Sequence, residues 1–171
     1  MRLDAPLLGE RIAVRSYTAE DLEFCTGMWF DPENGRYLSD PDREHVDETF
    51  RKALEGMQDS ADGYYLVVEL RSDGERIGTC CAFPDKGVYD IGYCIHKSRW
   101  RQGYGRELVE RIVDWVREQG GTTVRAEAAR ENRASCTLLE RCGFTVIGET
   151  TYKKYHMDVW FDGLLYEREL L

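Results

Sequence analysis

A loop rich in glycine and arginine has the composition of a phosphate-binding site. Gly103 and Gly105 lack the Cβ atoms that would keep a ligand away from the backbone. Arg99, Arg101 and Arg106 surround these glycines with positive charge, although the whole chain carries a net charge of −9. If a helix begins here, its first amide groups have no intrahelical partners and can bind an anion. The sequence therefore predicts an anion site at this loop.

Two regular elements must hold this loop in place. Residues 91–96 are short, apolar and rich in aromatic and β-branched side chains, which favours a buried strand. Residues 104–119 carry apolar side chains at helical spacing, and Gly120-Gly121 is typical of a left-handed helix end. Residues 122–128 read as the next strand. A right-handed crossover through the helix would place the two strands side by side and parallel.

A second polar group follows this next strand and extends the pattern. It contains Asn132 and Ser135 at the start of a predicted helix, with Gly143-Phe144 after it. Together with the loop, these residues resemble the GNAT superfamily of acetyl-coenzyme-A-dependent N-acetyltransferases. The resemblance is to the pyrophosphate loop, [RQ]-x-x-G-x-[GA], and to the later N-x-x-S/A segment that ends in G-F, and it covers about residue 77 to the C-terminus.

Trp100 narrows this resemblance to one branch of the superfamily. It stands where most members have Arg or Gln. A Trp at this place, followed by G-x-G-Y-[AG]-x-E, is similar to the branch that acetylates the N-termini of ribosomal proteins. Arg101 replaces the Gly that is usual there.

The remaining patterns and the resemblance together predict one fold for residues 1–171, a single GNAT-like domain. The expected class is α/β with a central mixed sheet of about seven strands, helices on both faces and a splay between two adjacent parallel strands. Further strands are predicted at residues 11–15, 64–70, 76–83, 144–150 and 164–170, and helices within 18–29 and 42–58. Tight turns are predicted at residues 72–74 and 84–87, and Asp162-Gly163 is expected to turn the chain before the last strand.

The resemblance implies acetyl-CoA as cosubstrate and assigns residues to it. The pyrophosphate would bind the loop and the first helical turn, namely Arg101, Gln102, Gly103, Tyr104, Gly105 and Arg106. The pantetheine arm would lie in the splay, facing Cys94 and Ile95, although both side chains suit a plain core equally well. Asn132 is expected to cap its helix, to contact the pantetheine, or to do both. Neither a metal nor a covalent nucleophile is required.

Acetylation of an amine needs a base, and Glu127 is our first candidate. It lies late in the strand that precedes Asn132, and the resemblance implies that a glutamate at this spacing can act directly or through water. Glu127 could instead face solvent or pair with an arginine. Asp90 and His156 are the alternatives, whereas His96 suits a loop position.

The departing thiolate needs an acid, and here the chain departs from the family pattern. Many members have a tyrosine seven residues after the asparagine, where this chain has Leu139. Ser135 matches the serine of the resembled branch and could donate to the sulfur, or it could bond the helix backbone instead. Tyr93 and Tyr104 are expected in the core, and Cys136 is expected to be structural.

The segment from Asp31 to Asp62 would form the acceptor side of the cleft. It holds ten acidic and four basic side chains, which would attract a cationic amine at long range. Acidity that merely faces solvent is the simpler interpretation of these charges. The expected acceptor is therefore a small cationic amine or a protein N-terminus.

Composition excludes several other classes of function. The acidic balance argues against nucleic acid, which binds a basic face. No apolar run approaches the ~20 residues of a membrane helix, and the first residues lack the apolar core of a signal peptide, so a cytoplasmic location is expected. The six cysteines are expected to be free thiols because no C-x-x-C pair is present. Homodimerisation stays open.

The predicted function is an N-acetyltransferase that transfers an acetyl group directly to a primary amine in a ternary complex. The alternative is a non-catalytic acyl-CoA-binding sensor or regulatory module, which the missing tyrosine at Leu139 would explain.

Overall fold

Eight strands form one continuous sheet in the computed structural model, which describes residues 1–170. The strands are β1 Leu7–Leu8, β2 Ile12–Ser16, β3 Tyr64–Leu70, β4 Arg76–Asp85, β5 Val88–Ile95, β6 Thr123–Ala129, β7 Thr145–Lys153 and β8 Trp160–Glu169. The α-helices are α1 Leu22–Trp29, α2 Glu48–Gly56, α3 Tyr104–Glu118 and α4 Arg133–Arg141. Leu171, which ends the predicted domain, lies outside the described residues.

The sheet is mixed, with the strand order β1-β2-β3-β4-β5-β6-β8-β7. Within residues 1–170 its one parallel pair is β5 with β6, and the other neighbours are antiparallel. Helix α3 connects β5 to β6, so the predicted crossover between adjacent parallel strands is confirmed. The short strand β1 at the sheet edge was not predicted, since two residues carry no periodicity.

Helices cover both faces of the sheet, as predicted. Neighbouring side chains of one strand point to opposite faces, so Val68 packs in the cluster under α3 while Val67 packs beside Tyr17 and Cys25 near α1. Helix α3 buries its apolar stripe, which comprises Leu108, Val109, Ile112, Val113, Trp115 and Val116. Each such side chain contributes roughly 1.5–3 kcal/mol relative to exposure, so α3 is anchored firmly behind its N-terminal loop.

The two parallel strands separate along their length. They pair from Val88 with Thr123 to Ile91 with Ala126, and the pairing ends there. Strand β5 nevertheless continues to Ile95, and β6 continues to Ala129. The predicted splay is therefore confirmed, and it leaves an opening between two backbone edges in the middle of the sheet.

The prediction of a turn at Asp162-Gly163 is wrong. Both residues lie inside β8, where Gly163 pairs with Ala129 on one side and Thr150 on the other. A Cβ atom at Gly163 would come within 2.7 Å of Thr150 Cγ2, so the glycine serves close strand packing. The chain turns between Lys153 and Trp160 instead.

Two other predicted boundaries also move. The β4–β5 turn consists of Lys86 and Gly87, both with positive φ, and Pro84 pairs inside β4. The helix predicted at residues 42–58 is shorter, because the extended backbone of Val46 interrupts it. Helix α2 begins only after Asp47, whose side chain accepts from the Phe50 amide at 2.8 Å.

Candidate active site

The predicted phosphate loop is held by an arginine from the first part of the chain. Arg11 Nη1 donates to the Gln102 carbonyl at 2.9 Å, and Arg11 Nε donates to Glu107 Oε2 at 2.9 Å. Its guanidinium also lies over the Tyr104 ring, 4.3 Å from the centroid. Gly103 has a φ of +85°, which favours glycine, and α3 begins directly after it. The loop therefore presents the first amides of a 15-residue helix.

The second glycine of the loop has a packing role that the sequence did not indicate. A Cβ atom at Gly105 would lie 2.8 Å from Leu138 Cδ1, so Gly105 allows α3 to approach α4. Of the nearby arginines, Arg106 pairs with Glu110 at 2.8 Å and Arg99 pairs with Glu75. Arg101 is exposed beside the helix start.

The opening between β5 and β6 presents backbone groups of known direction. His96 donates its amide to the Ile77 carbonyl of β4 at 2.7 Å. Because amides and carbonyls of a strand alternate sides, those of Tyr93 and Ile95 point toward β6. The Ile95 carbonyl accepts from Trp100 Nε1 at 2.7 Å. The backbone of Cys94 points to β4, so of the two residues predicted for the pantetheine arm only Ile95 turns its backbone to the opening.

Two hydroxyl groups meet at the start of α4. The Tyr93 and Ser135 oxygens are 2.8 Å apart, which joins β5 to α4. Asn132 caps the helix by accepting from the Ser135 amide at 3.2 Å, as one of the predicted roles requires. Burial raises the pKa of Tyr93 above its ordinary value, so this phenol stays protonated at neutral pH. Leu139, at the position of the missing tyrosine, is fully buried in the core.

Glu127 is exposed on the opposite face of the sheet from α3 and α4. Its neighbours Ala126 and Ala128 belong to the core under those helices, so its own side chain points the other way. The carboxylate lies over β8, with Oε1 3.0 Å from the position that a Cβ atom would take at Gly163. Burial, followed by the charge of Glu127, raises the pKa of Tyr152 to about 12. Glu127 thus lies beside the end of β6, on the face of the sheet that carries α1.

The alternative bases lie in other surroundings. His156 stacks on Tyr155 with 4.2 Å between ring centroids, and its Nδ1 is 3.3 Å from Asp47 Oδ2. Asp90 is exposed on β5, at a level where the strands are still paired. His96 Nδ1 accepts from the Ser98 amide at 3.2 Å, in agreement with the expected loop role.

Comparisons with known proteins bear on this geometry. A family model described as the acetyltransferase (GNAT) domain matches residues 11–145. The chain belongs to the GNAT acetyltransferase family. It is an N-acetyltransferase.

Individual relatives agree with this assignment. An uncharacterized N-acetyltransferase p20 of Bacillus licheniformis is 26% identical over 149 residues, with 81% of each chain covered. A spermidine N-acetyltransferase structure from Vibrio cholerae has a TM-score of 0.76 at 17% identity, covering 93% of this chain and 95% of that one. The ribosomal-protein-S5-alanine acetyltransferase of Vibrio fischeri has a TM-score of 0.73 at 20% identity, with 97% of both chains covered.

The face of the sheet that carries α1 contains a cavity of about 400 Å³. It reaches Gly92, Tyr93 and Cys94, which follow directly after the last paired residue of β5. Its volume is within the range of small-molecule sites, roughly 300–1,000 Å³. The other lining side chains are mainly apolar or aromatic, and they include Trp29, Leu38, Phe50, Leu54, Met57 and Tyr65. An open outer groove of about 440 Å³ adjoins it and shares Ser39, Asp40 and Phe50.

Asp40 is the one charged side chain of residues 1–170 that lines the inner cavity. Burial raises the pKa of its carboxyl above the ordinary value, and the charge of Lys154 only partly offsets this effect. The negative charge of Asp40 acts in turn on two thiols of the cavity wall. Burial, together with this charge, raises the pKa of Cys94 to about 12 and the pKa of Cys81 to about 11. These cysteines are therefore neutral at pH 7.

Residues 35–42, which include Asp40, form a segment that we call the acceptor loop. Lys154 holds it through three hydrogen bonds from Nζ, to the carbonyls of Gly35 at 2.7 Å, Leu38 at 2.8 Å and Asp40 at 3.1 Å. Tyr152 also donates to the Tyr37 carbonyl at 2.7 Å. Burial lowers the pKa of Lys154, although the nearby aspartates oppose this shift. The end of β7 thus fixes the position of Asp40.

Half of the ten acids between Asp31 and Asp62 take part in caps or ion pairs. Asp31 pairs with Lys97 at 3.0 Å, and Glu48 pairs with Lys52 at 3.0 Å. The other three are Glu33, Asp42 and Asp47. Caps and ion pairs therefore engage only part of the acidity of this segment, and Asp40 is the acid of the segment that lines the cavity.

Three further findings concern other predictions. All six cysteines are free thiols, as predicted. Within residues 1–170, no set of three or more histidine, cysteine or acidic side chains is placed to hold a metal ion. The helices of the described chain include none with the length and apolar character needed to cross a bilayer.

Sequence reasoning missed three residues of the site. Tyr93 packs against the core as predicted, but its hydroxyl also meets Ser135, which the sequence did not indicate. Asp40 was counted only as one of ten acids, and Lys154 was not singled out. No local pattern marks them, since each acts across contacts between distant parts of the chain.

Proposed function

We propose that this enzyme transfers the acetyl group of acetyl-CoA directly to a primary amine within a ternary complex. One observation carries the proposal. The cavity that Asp40 lines reaches Gly92, Tyr93 and Cys94, where β5 leaves β6, and β5 continues from there toward the loop that begins α3. The amine is expected to be a small cationic molecule or a protein N-terminus.

The residues around the loop and the opening fit acetyl-CoA. The free amides at the start of α3, together with the side chains of the loop, suit a pyrophosphate. The proposed pyrophosphate residues are Arg101, Gln102, Gly103, Tyr104, Gly105 and Arg106. The outward backbone of Tyr93 and Ile95 suits the amide groups of a pantetheine arm, and Cys94 and Asn132 would complete its surroundings. When bound, acetyl-CoA supplies the acetyl group as a thioester.

Glu127 is proposed as the base that prepares the amine. At pH 7 deprotonation of a lysine amine costs roughly 4–5 kcal/mol, whereas an α-amine costs about 1 kcal/mol. A single exposed carboxylate therefore deprotonates an α-amine more easily than an alkyl amine, so turnover of an alkyl amine should rise more steeply with pH. Glu127 would accept the proton directly or through water, from its place on the face of the sheet that carries α1.

Ser135 is proposed as the group that protonates the departing sulfur. Its hydroxyl can donate toward the opening while it accepts a hydrogen bond from Tyr93. A neighbouring phenol that stays protonated supports this arrangement, because it fixes the direction of the serine proton. Tyr93 would then act as a positioning residue that orients Ser135.

Incubation of the purified enzyme with acetyl-CoA and a mixed panel of amines tests the proposal, with thiol release as the readout. Turnover with at least one amine is expected. Saturable cosubstrate binding without turnover on any amine would instead support the alternative, a non-catalytic acyl-CoA sensor.

A charge-reversal variant tests the assignment of the loop. Arg101→Glu should weaken calorimetric affinity for CoA at least about tenfold by placing negative charge beside the pyrophosphate. Arg51→Glu makes the same charge change on α2, on the other face of the sheet, and should leave the affinity unchanged. Equal effects of the two variants would refute the loop assignment. The glycines are poorer probes, since Gly105 also serves helix packing.

A further inference from the structure

The chemistry of the inner cavity narrows the class of acceptor. Its wall is mainly aromatic, aliphatic and thiol, with Ser39 and Thr79 as hydroxyl groups and Asp40 as the one charged side chain among residues 1–170. Trp29 Nε1 donates to Thr79 Oγ1 at 3.1 Å. A polycation would need several carboxylates, but among the described residues this cavity offers one. A ligand that fits this cavity must therefore combine one cationic group with an apolar body.

We propose that the acceptor is a small monocationic primary amine with an aromatic or aliphatic body, whose ammonium group is bound by Asp40. This inference rests on the proposed function and deepens it by naming the substrate class. The apolar body would pack against side chains such as Trp29, Phe50 and Tyr65. Asp40 lines both the inner cavity and the outer groove, and its charge acts on Cys94 beside the β5–β6 opening. The ammonium group that Asp40 binds must then lose a proton to Glu127 before it attacks the thioester.

The position of Asp40 supports a role in binding rather than in folding. Its carboxylate is partly buried without a salt bridge to a cationic side chain among residues 1–170, and its backbone carbonyl, not its carboxylate, bonds Lys154. A desolvated charge of this kind destabilises the free protein and is relieved by a cationic ligand. Burial accordingly raises the pKa of Asp40. Binding of a cation at Asp40 is selective because the other lining side chains of this cavity among residues 1–170 carry no charge.

The test compares three amines: 2-phenylethylamine, ethylamine and spermidine. Both kcat/KM from thiol release and binding to the CoA-loaded enzyme by calorimetry are measured. Both kcat/KM and the binding affinity should be at least about tenfold higher for 2-phenylethylamine than for ethylamine, because the apolar body fills the cavity. Preference for spermidine, or acetylation of peptide N-termini alone, would overturn the inference.

Two variants separate the carboxylate from general electrostatics. Asp40→Asn keeps the shape and removes the charge, and it should raise KM and Kd for 2-phenylethylamine about 10- to 100-fold. KM for acetyl-CoA should stay unchanged, and the melting temperature should rise, because a desolvated carboxylate is lost. Glu55→Gln removes an exposed charge from α2 and should change each value by less than about twofold.

The outcomes are distinguishable from a failure of the proposed function. If 2-phenylethylamine binds through Asp40 but no amine is acetylated, the assignment of the cavity to monocationic amines stands as a binding site, and the proposed acetyl transfer fails. If amines are acetylated but Asp40→Asn behaves as Glu55→Gln does, the acceptor inference is wrong. A lower melting temperature in Asp40→Asn would also contradict it, because Asp40 would then be a structural residue.

Discussion

Removal of the phenol at Tyr93 should reveal how Ser135 works. Tyr93→Phe deletes one hydroxyl and leaves the ring in the core. The hydrogen bond of 2.8 Å between the two hydroxyls joins neutral groups, and such bonds contribute about 0.5–1.5 kcal/mol net. If this bond serves to orient Ser135, its loss should lower kcat about 2- to 13-fold. KM for both substrates should change little.

The serine itself should matter more than the tyrosine. Ser135→Ala removes the proposed proton donor and should lower kcat at least about 100-fold. Since Tyr93 acts through Ser135, the double variant should be no slower than Ser135→Ala alone. Rates are measured by thiol release at saturating substrates, and thermal unfolding checks that all three variants are folded.

Two results would refute this reasoning. If the effects of the two single variants multiply in the double variant, the hydroxyls act independently. If Tyr93→Phe is slower than Ser135→Ala, the phenol is itself the proton donor, and the protonated state of Tyr93 would then have a direct catalytic use.

Three further changes have expected outcomes. Lys154→Met removes three hydrogen bonds to the acceptor loop and should raise KM for the amine about 10-fold, measured by steady-state kinetics, without changing KM for acetyl-CoA. Asp21 is fully buried and pairs with Arg15 at 2.8 Å. Burial opposes its ionisation, but hydrogen bonds from Arg15 hold the pKa of Asp21 below its ordinary value. The stabilisation by the ionised carboxylate is therefore complete above about pH 4 and is lost as the pH falls further. Asp21→Asn should therefore lower unfolding free energy by about 3–5 kcal/mol at pH 7, and the loss should shrink in acid, as measured by denaturant titration. Glu127→Gln should lower turnover about 10²- to 10⁴-fold at low pH, with partial recovery as rising pH deprotonates the amine.

Each of these outcomes has a clear opposite. A change in KM for acetyl-CoA in Lys154→Met would mean that Lys154 supports the whole site. Equal stability of the wild type and Asp21→Asn at pH 7 would contradict the account of the buried ion pair. Full activity of Glu127→Gln across the pH range would place the base elsewhere, with His156 and Asp90 next to be tested.

The sequence predicted those parts of the fold that depend on local patterns. The apolar periodicity of α3, the glycine at its end and the apolar run of β5 are each visible within one element, and all three are present. Asp162-Gly163 misled the prediction because a turn signal is local. The close approach of Thr150 to Gly163 across two strands explains that glycine instead.

The acceptor side could not be predicted in the same way. Lys154 bonds the carbonyl of Asp40 across 114 positions of the chain, and no short pattern carries that information. The acidity of the segment was visible, but caps and ion pairs engage half of its ten acids, and the other acids except Asp40 lie outside the cavity lining. Only the packing of the acceptor loop shows that Asp40 alone reaches the cavity.

The central claim is direct transfer between a cosubstrate at the β5–β6 opening and an amine in the adjoining cavity. Initial velocities over a grid of acetyl-CoA and 2-phenylethylamine concentrations test it most directly. Intersecting double-reciprocal lines are expected, because both substrates are bound to the enzyme together in a ternary complex. Parallel lines would show an acetylated enzyme intermediate and would contradict it.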